Sequence, residues 1–476
     1  MNYEVVIGLE THIEQNTKTK MFCSCKNEFG AQPNTNVCEV CTAMPGALPK
    51  VNQQAVYNTI KAGLATNCTI NKDFAFDRKN YFYPDNPKAY QISQLYVPIC
   101  TNGRVDLITP SGKNFSIRIH QIHLEEDAGK LIHNDFTGET MVDFNRCGVP
   151  LMEIVTEPDF RSTEEVMTYL EYIRSTFKAI GVTDCKMERG QLRCDVNISL
   201  RPQGQKTYGE RTEMKNINSL KAIERAITYE VQRQTNLLNE GKHIAQETLR
   251  WDDLKGKNFT MRSKEDAEDY RYFPEPDLYP FHVSAQEVEK LKRELPLLPN
   301  QRIQKYKNDY GFSDYDAQQL AKETYIYTFF DKCVECGISA KESSNWIQGE
   351  IAKIINEEMA EQPAIKVSPL QLKSILQMLG SGAIAQATAR DVLRKVWGNN
   401  IDPQQLVKDL GLAAVSDDSA IRKILEQIIQ NNPQAVADYK GGNKKAVAFF
   451  VGQTMKATQG KANAQVVNKL IAEMLN

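Results

Sequence analysis

From Leu192 to Ser199 the chain alternates residue by residue, with Leu192, Cys194, Val196 and Ile198 on one side and Arg193, Asp195, Asn197 and Ser199 on the other. Because successive side chains of a strand point to opposite faces, this stretch is a β-strand with one covered face and one polar face. The same period recurs twice. In Gly8-Leu9-Glu10-Thr11-His12-Ile13-Glu14 the polar side carries Glu10, His12 and Glu14, with Leu9 and Ile13 opposite. From Phe115 onward, Phe115, Ile117 and Ile119 keep phase until the pattern jumps to Ile122 and Leu124. That jump predicts a β-bulge near His120-Gln121 and leaves His123 and Glu125 on one face. Taken singly, each segment is a solvated face of an antiparallel sheet. Solvated faces usually carry Thr, Lys and Gln, however, and three faces of Glu, His, Asp and Asn together point to a site for a divalent cation and phosphate. Mg²⁺ favours one or two carboxylates, waters and substrate phosphates. His12 is a less usual ligand for it, and its other reading is to hold a carboxylate or a water.

Strand-like texture and Gly/Pro turns such as Met44-Pro45-Gly46 persist to about residue 290. Two helices stand out within it. One starts at the capping box Ser162-x-x-Glu165, carries Val166, Tyr169, Leu170 and Ile173 at helical spacing, and stops at Gly181. The other runs from about Ser219 to Gly241. Few helices among many strands predict an α+β domain with a largely antiparallel sheet, and no Rossmann or P-loop glycine motif is present. At Glu294-Leu295-Pro296-Leu297-Leu298-Pro299 the texture changes, since two prolines so close cannot sit inside a helix, and the remainder reads as helices broken near Gly380, Gly398 and Pro433. With 476 residues the chain exceeds what one core supports. The expected division is a catalytic domain over 1–293, a helical connecting domain over 294–405 and a small helical tail domain over 406–476.

The cysteines carry a second signal. Cys23-x-Cys25 and Cys38-x-x-Cys41 supply two close pairs of thiolates, the arrangement of a tetrahedral structural zinc; the other reading is four free thiols. An odd total of eleven cysteines argues for reduced thiols over a disulfide scaffold. Cys333-x-x-Cys336 has no second pair nearby and is read as packing. No apolar run reaches the length of a membrane span, and Met1 leads straight into the strand-like Tyr3 to Ile7 without a signal-type apolar region, so a cytoplasmic address and no membrane partner are expected. The net charge of −2 gives no global nucleic-acid signature. Local charge exists in the tail, where Lys440, Lys444, Lys445, Lys456, Lys461 and Lys469 face only Asp438 and Glu473. A solvated helix face and an RNA contact both fit that excess. Between Phe76 and Lys88, aromatics alternate with Arg78, Lys79 and Lys88, which suits either a Pro-braced loop or a platform for stacked bases.

Several long motifs carry a resemblance. They are Gly8-Leu9-Glu10-Thr11-His12, the run Asp77 to Asp85, His123 to Lys130, Asp143 to Ile154, Arg193 to Asn197, Glu213 to Ser219 and Asp269 to Asp277. In these, over nearly its whole length, the chain resembles the B subunits of the tRNA-dependent amidotransferases, the GatB family. The resemblance implies an antiparallel-sheet cradle, a helical domain and a tail that touches tRNA, in a heterotrimer with a glutaminase A subunit and a small C subunit. It implies ATP- and Mg²⁺-dependent phosphorylation of the side-chain carboxylate of misacylated Glu-tRNA(Gln) or Asp-tRNA(Asn), followed by amidation with ammonia from the A subunit. Carried over, the metal and phosphate site falls on Glu10, His12, Glu125, Asp195 and Glu213, with Glu126 as the alternative to Glu125. Lys79, Lys88 and Lys215 are candidates to meet the nucleotide phosphates. The chain departs from the family at Gln246-Glu247-Thr248-Leu249-Arg250, where the usual pattern is one residue shorter. The cysteine quartet belongs to only part of the family, so its zinc is expected to support the fold. No Gly-Gly-Ser-Ser stretch of an amidase nucleophile is present, which implies ammonia delivered by a partner. A competing reading, a non-enzymatic zinc-containing RNA-binding protein, leaves the acidic faces unexplained, because carboxylates repel phosphate unless a cation intervenes.

Overall fold

The computed structural model describes residues 3–134, 136–215, 217, 219–263, 269–360, 363–412, 418–440, 444–458, 462 and 464–475. Two compact units divide the chain between Gln301 and Arg302. The first is organised by a nine-stranded sheet. Its strands are β1 (Tyr3–Glu14), β2 (Thr69–Ile70), β3 (Cys100–Ile108), β4 (Asn114–Glu126), β5 (Pro150–Thr156), β6 (Leu192–Pro202), β7 (Thr212–Lys215), β8 (Glu247–Asp252) and β9 (Lys257–Ser263). They lie in the order β9-β8-β7-β6-β1-β5-β4-β3-β2. Neighbours are antiparallel except β7 and β8, which run parallel. The α+β expectation holds, with that one parallel pair added to it.

Alternation decides which face is covered. Ile7, Leu9 and Ile13 of β1, Ile122 and Leu124 of β4, Met152 and Ile154 of β5 and Cys194, Val196 and Ile198 of β6 are all buried in one core. Helices α1 (Gln53–Ala65), α2 (Thr163–Ala179) and α3 (Leu220–Asn239) add Ile60, Val166, Leu170, Ile173, Ile223 and Ile227 to it. Each such side chain is worth roughly 1.5–3 kcal/mol by its removal from water. The bulge falls where the phase jump predicts it: Val155 faces Gln121 while Thr156 faces Ile119, leaving His120 extra. Without that residue, His123 and Glu125 would point into the core.

At the start of α2 the Ser162 hydroxyl accepts from the Glu165 amide, as the capping box requires, but the Glu165 carboxylate accepts from the Arg161 amide and from Lys113. Half the box therefore forms, because the Glu165 carboxylate is taken by the Arg161 amide and by Lys113 of the β3–β4 turn. On α3, fully buried Glu230 accepts from Thr212 Oγ1 at 3.0 Å, Gln234 Nε2 at 2.8 Å, Asn258 Nδ2 at 3.1 Å and Arg233. A buried carboxylate saturated by donors fixes its neighbours, and here it clamps the helix to β7 and β9.

The second unit is helical. Its larger core gathers Tyr306, Leu320, Phe330, Cys333, Trp346, Ile375, Val392 and Leu393, and a smaller one gathers Ile421, Leu425, Phe450, Val467 and Leu470. Val407, with Leu406 and Leu412 beside it, packs on the larger core, so the smaller core begins beyond that segment. Helix ends at Gly380, Val396 and Asn431 coincide with the breaks read from the sequence. Cys333 is buried core and Cys336 donates to the Cys333 carbonyl within the helix end, which is a packing role.

Candidate active site

On the face of the sheet opposite the core, register places the polar residues side by side. Glu10 stands opposite Asp195, His12 opposite Arg193 and Glu153, Glu153 opposite His123, Leu151 opposite Glu125, and Asn197 opposite Glu213. Directly opposed residues share a face. All five carboxylate and histidine positions singled out from the sequence therefore lie on one surface, but they form two groups and not one. Ligand atoms of Glu10, Asp195 and Glu213 lie within 4.8 Å of one another, and so do those of His12, Glu125 and Glu153. The single five-ligand site expected from the sequence is thus divided. The cause is the pleat: Glu10 and His12 share a face but sit two residues apart on β1.

In the first group every carboxylate is oriented by a neighbour. Asn197 Nδ2 donates to Glu10 Oε1 at 3.0 Å, Thr248 Oγ1 donates to Glu213 Oε2 at 3.0 Å, and Lys215 Nζ lies 3.0 Å from both Asp195 Oδ2 and Glu213 Oε1. Burial, and then the charges of Glu153 and Glu213, raise the Glu10 carboxyl above its ordinary range. Burial would lower the Lys215 ammonium, but Asp195 and Glu213 outweigh it and hold it well above the usual lysine value. This hard-oxygen set, with negative charge left over, fits Mg²⁺.

The second group is more deeply set. His12 Nε2 lies 3.7 Å from both Glu125 Oε1 and Glu153 Oε2, too far for hydrogen bonds but the spacing of ligands around a shared ion. His123 Nε2 approaches Glu153 at 3.1 Å. Burial and the neighbouring Glu153 push the Glu125 carboxyl up, whereas Glu153 is held far below the usual range by His123 and His12 despite its own burial. Glu125 is therefore the residue on this face. Glu126 points the other way, accepting from Lys88 and from the Ile92 amide at 3.1 Å. Glu153 escaped the sequence reading because Leu151 and Val155 beside it on the same face are apolar, which hides the alternation. The available signal was a lone acid in an apolar strand, since Glu is rarely buried unless paired.

The proposed phosphate lysines are scattered by comparison. Lys215 is within the first group, Lys79 lies over the Tyr270 ring at 4.8 Å, and Lys88 is paired with Glu126. The Asp77 and Asp269 motifs meet: Arg78 pairs with Phe273 in a short sheet, and its guanidinium grips buried Glu275 at 2.7 and 2.9 Å. Tyr81 and Tyr272 approach the second group, whose Glu125 charge joins burial in raising both phenols. Phe76 is core, but Phe82 and Tyr83 are exposed at 77% and 58%. Beside Glu10 and Asn197 a pocket of about 280 Å³ opens, lined also by Val6, Thr156, Tyr208 and Arg211. Gly209 closes one wall so tightly that an added Cβ would lie 2.0 Å from the Leu200 carbonyl oxygen.

Apart from these, the thiols of Cys23, Cys25, Cys38 and Cys41 lie within 4.8 Å of one another. Tetrahedral zinc with bonds of about 2.3 Å demands sulfurs roughly 3.8 Å apart, and Cys38 and Cys41 are at 4.0 Å. The Cys38 amide donates to Cys41 Sγ at 3.2 Å and buried Lys20 Nζ at 3.4 Å, donors suited to thiolate. A hydrogen bond with the Cys23 thiol, supported by that amide and lysine, pulls Cys41 down to about 4, while burial pushes Cys25 up to about 11. Of the six tail lysines, the side chains of Lys440, Lys444, Lys445 and Lys461 lie outside the described residues; Lys469 is 3.9 Å from Glu473. No helix among the described residues is long and apolar enough to cross a membrane.

Matches to known protein families fall in each of the two units. Residues 5–289 match the GatB/GatE catalytic domain and residues 328–475 the GatB domain. The B subunit of the aspartyl/glutamyl-tRNA(Asn/Gln) amidotransferase from Agathobacter rectalis is 50% identical over 474 residues, covering 100% of both chains. Proteins of the same name from Lachnospira eligens and Persephonella marina are each 48% identical, over 100% of this chain and 99% and 100% of their own.

Proposed function

The chain belongs to the GatB/GatE catalytic-domain family, and from that premise we propose that it is the carboxylate-activating B subunit of a tRNA-dependent amidotransferase. Its substrate is the misacylated Glu-tRNA(Gln), Asp-tRNA(Asn) or both, and it acts in the cytoplasm with a glutaminase A subunit and a small C subunit. The observation that carries this reading is the convergence of Glu10, Asp195 and Glu213 beside His12, Glu125 and Glu153 on one sheet face.

A carboxylate resists ammonia because its carbon is electron-rich and its leaving group would be an oxide. Transfer of the ATP γ-phosphoryl group to it supplies a leaving group, and the protein's task is positioning and charge neutralisation. Glu10, Asp195 and Glu213 would hold Mg²⁺, which offsets the charge of phosphates and attacking carboxylate when bound. His12, Glu125 and Glu153 offer a second cation position. Asn197 and Thr248 orient the carboxylates of the first group, and Lys79 lends positive charge to the second. The pocket beside Glu10 has room for part of the nucleotide. The cysteine quartet would hold structural zinc.

Reconstitution of the chain with its two partner subunits tests the reading. Amide formation on Glu-tRNA(Gln) or Asp-tRNA(Asn), dependent on ATP and Mg²⁺, is expected; no tRNA-dependent ATP hydrolysis would refute it. Deleting residues 413–476 is expected to weaken tRNA binding by roughly tenfold through lost basic contacts, with glutamine hydrolysis by the complex retained. Unchanged tRNA affinity would remove the tail from the tRNA interface.

A further inference from the structure

Glu10 and Glu213 of the first group are oriented by the neutral donors Asn197 and Thr248, while the space between the acids is taken by an ammonium group. Lys215 lies opposite Asp195 by the register of β6 and β7, in which Asn197 faces Glu213. Its Nζ sits 3.0 Å from Asp195 Oδ2 and 3.0 Å from Glu213 Oε1. These are two of the three carboxylates whose oxygens converge within 4.8 Å. The main chain that carries it has little freedom, because Met214 is fully buried in the core and Thr212 is tied to buried Glu230 at 3.0 Å. The freedom of the ammonium group therefore lies in its flexible four-carbon stem.

We propose that Lys215 is an internal counter-ion that occupies the cation position of the Glu10, Asp195 and Glu213 group and is displaced from it when the nucleotide arrives with its metal, moving then to a phosphate. This deepens the proposed function and rests on its reading of the acidic face as a cation and nucleotide site. An ammonium and a divalent ion cannot both sit within about 3–4 Å of the same oxygens without strong repulsion. The lysine neutralises part of the charge of these acids. Free metal must evict it and gains little; metal arriving with phosphate gives the evicted ammonium an anionic partner. Cation binding in the absence of nucleotide is thereby suppressed, and the two ligands bind cooperatively.

Mn²⁺ alone, titrated calorimetrically into the full-length zinc-loaded chain without nucleotide, tests this, with Asp195→Asn identifying the component due to this group. Lys215→Met is expected to tighten the Asp195-dependent binding roughly tenfold, and Lys215→Arg to leave it within about twofold of the unmodified chain because the charge is kept. ADP binding in the presence of Mn²⁺ is expected to weaken roughly tenfold in Lys215→Met, as a phosphate partner is lost. Lys215→Gln serves where the methionine variant does not fold. Unchanged or weaker Mn²⁺ binding in the neutral variant overturns the counter-ion role while leaving the Asp195-dependent site intact. Absence of any Asp195-dependent Mn²⁺ binding in either protein overturns the cation site and the inference together.

Discussion

The acidic face and the cysteine quartet gather anionic donors in opposite ways. Cys23 to Cys41 lie in one short span, and their four soft sulfurs would complete a tetrahedral zinc shell with no position left for solvent or substrate. The acidic groups draw on β1, β4, β5, β6 and β7, from Glu10 to Glu213, and their hard oxygens make incomplete sets. A local, complete shell stabilises a loop; a dispersed, open one leaves room for chemistry and binds the sheet's correct register to the site's existence. Substituting donors in each region separates the two roles.

The largest effect is expected at Asp195. Asp195→Asn should lower Glu-tRNA-dependent ATP turnover by about 10³-fold, through loss of a carboxylate that would hold the metal at the reacting phosphates, measured on the reconstituted complex. A loss under tenfold would mean the first group does not hold the metal of the reaction. Next comes Glu153→Gln, expected to cost about 10²-fold and to raise the Mg²⁺ concentration needed for half-maximal rate. An unaltered Mg²⁺ dependence would confine Glu153 to pairing His123. Smallest on turnover is the double change Cys38→Ser with Cys41→Ser. It should abolish bound zinc by elemental analysis and lower the unfolding temperature, yet slow the folded protein less than about tenfold. A collapse in rate matching Asp195→Asn would erase the contrast between the regions.

Much of this was visible in the chain itself. Strands β1 and β6 alternate cleanly because one face meets helices and the other meets solvent or ligand, and the extra residue at His120 shows as a phase jump. Glu213 was reached only through family resemblance, since β7 has four residues, too few to display a period. Glu153 was missed because its neighbours Leu151 and Val155 are apolar on the site face. Division of the acids into two groups is invisible to alternation, which assigns faces but not which strands adjoin. That information comes from β1 lying between β5 and β6, a pairing between segments some 140 to 200 residues apart in the chain.

The central place of β1 carries a metric consequence. Glu10 and His12 belong to different ligand groups yet are separated by one pleat repeat, about 6.4–6.8 Å of covalently fixed length. The strand thus works as a ruler: no side-chain rearrangement can bring the two anchor points together or drive them far apart. Whatever bridges them must match that spacing.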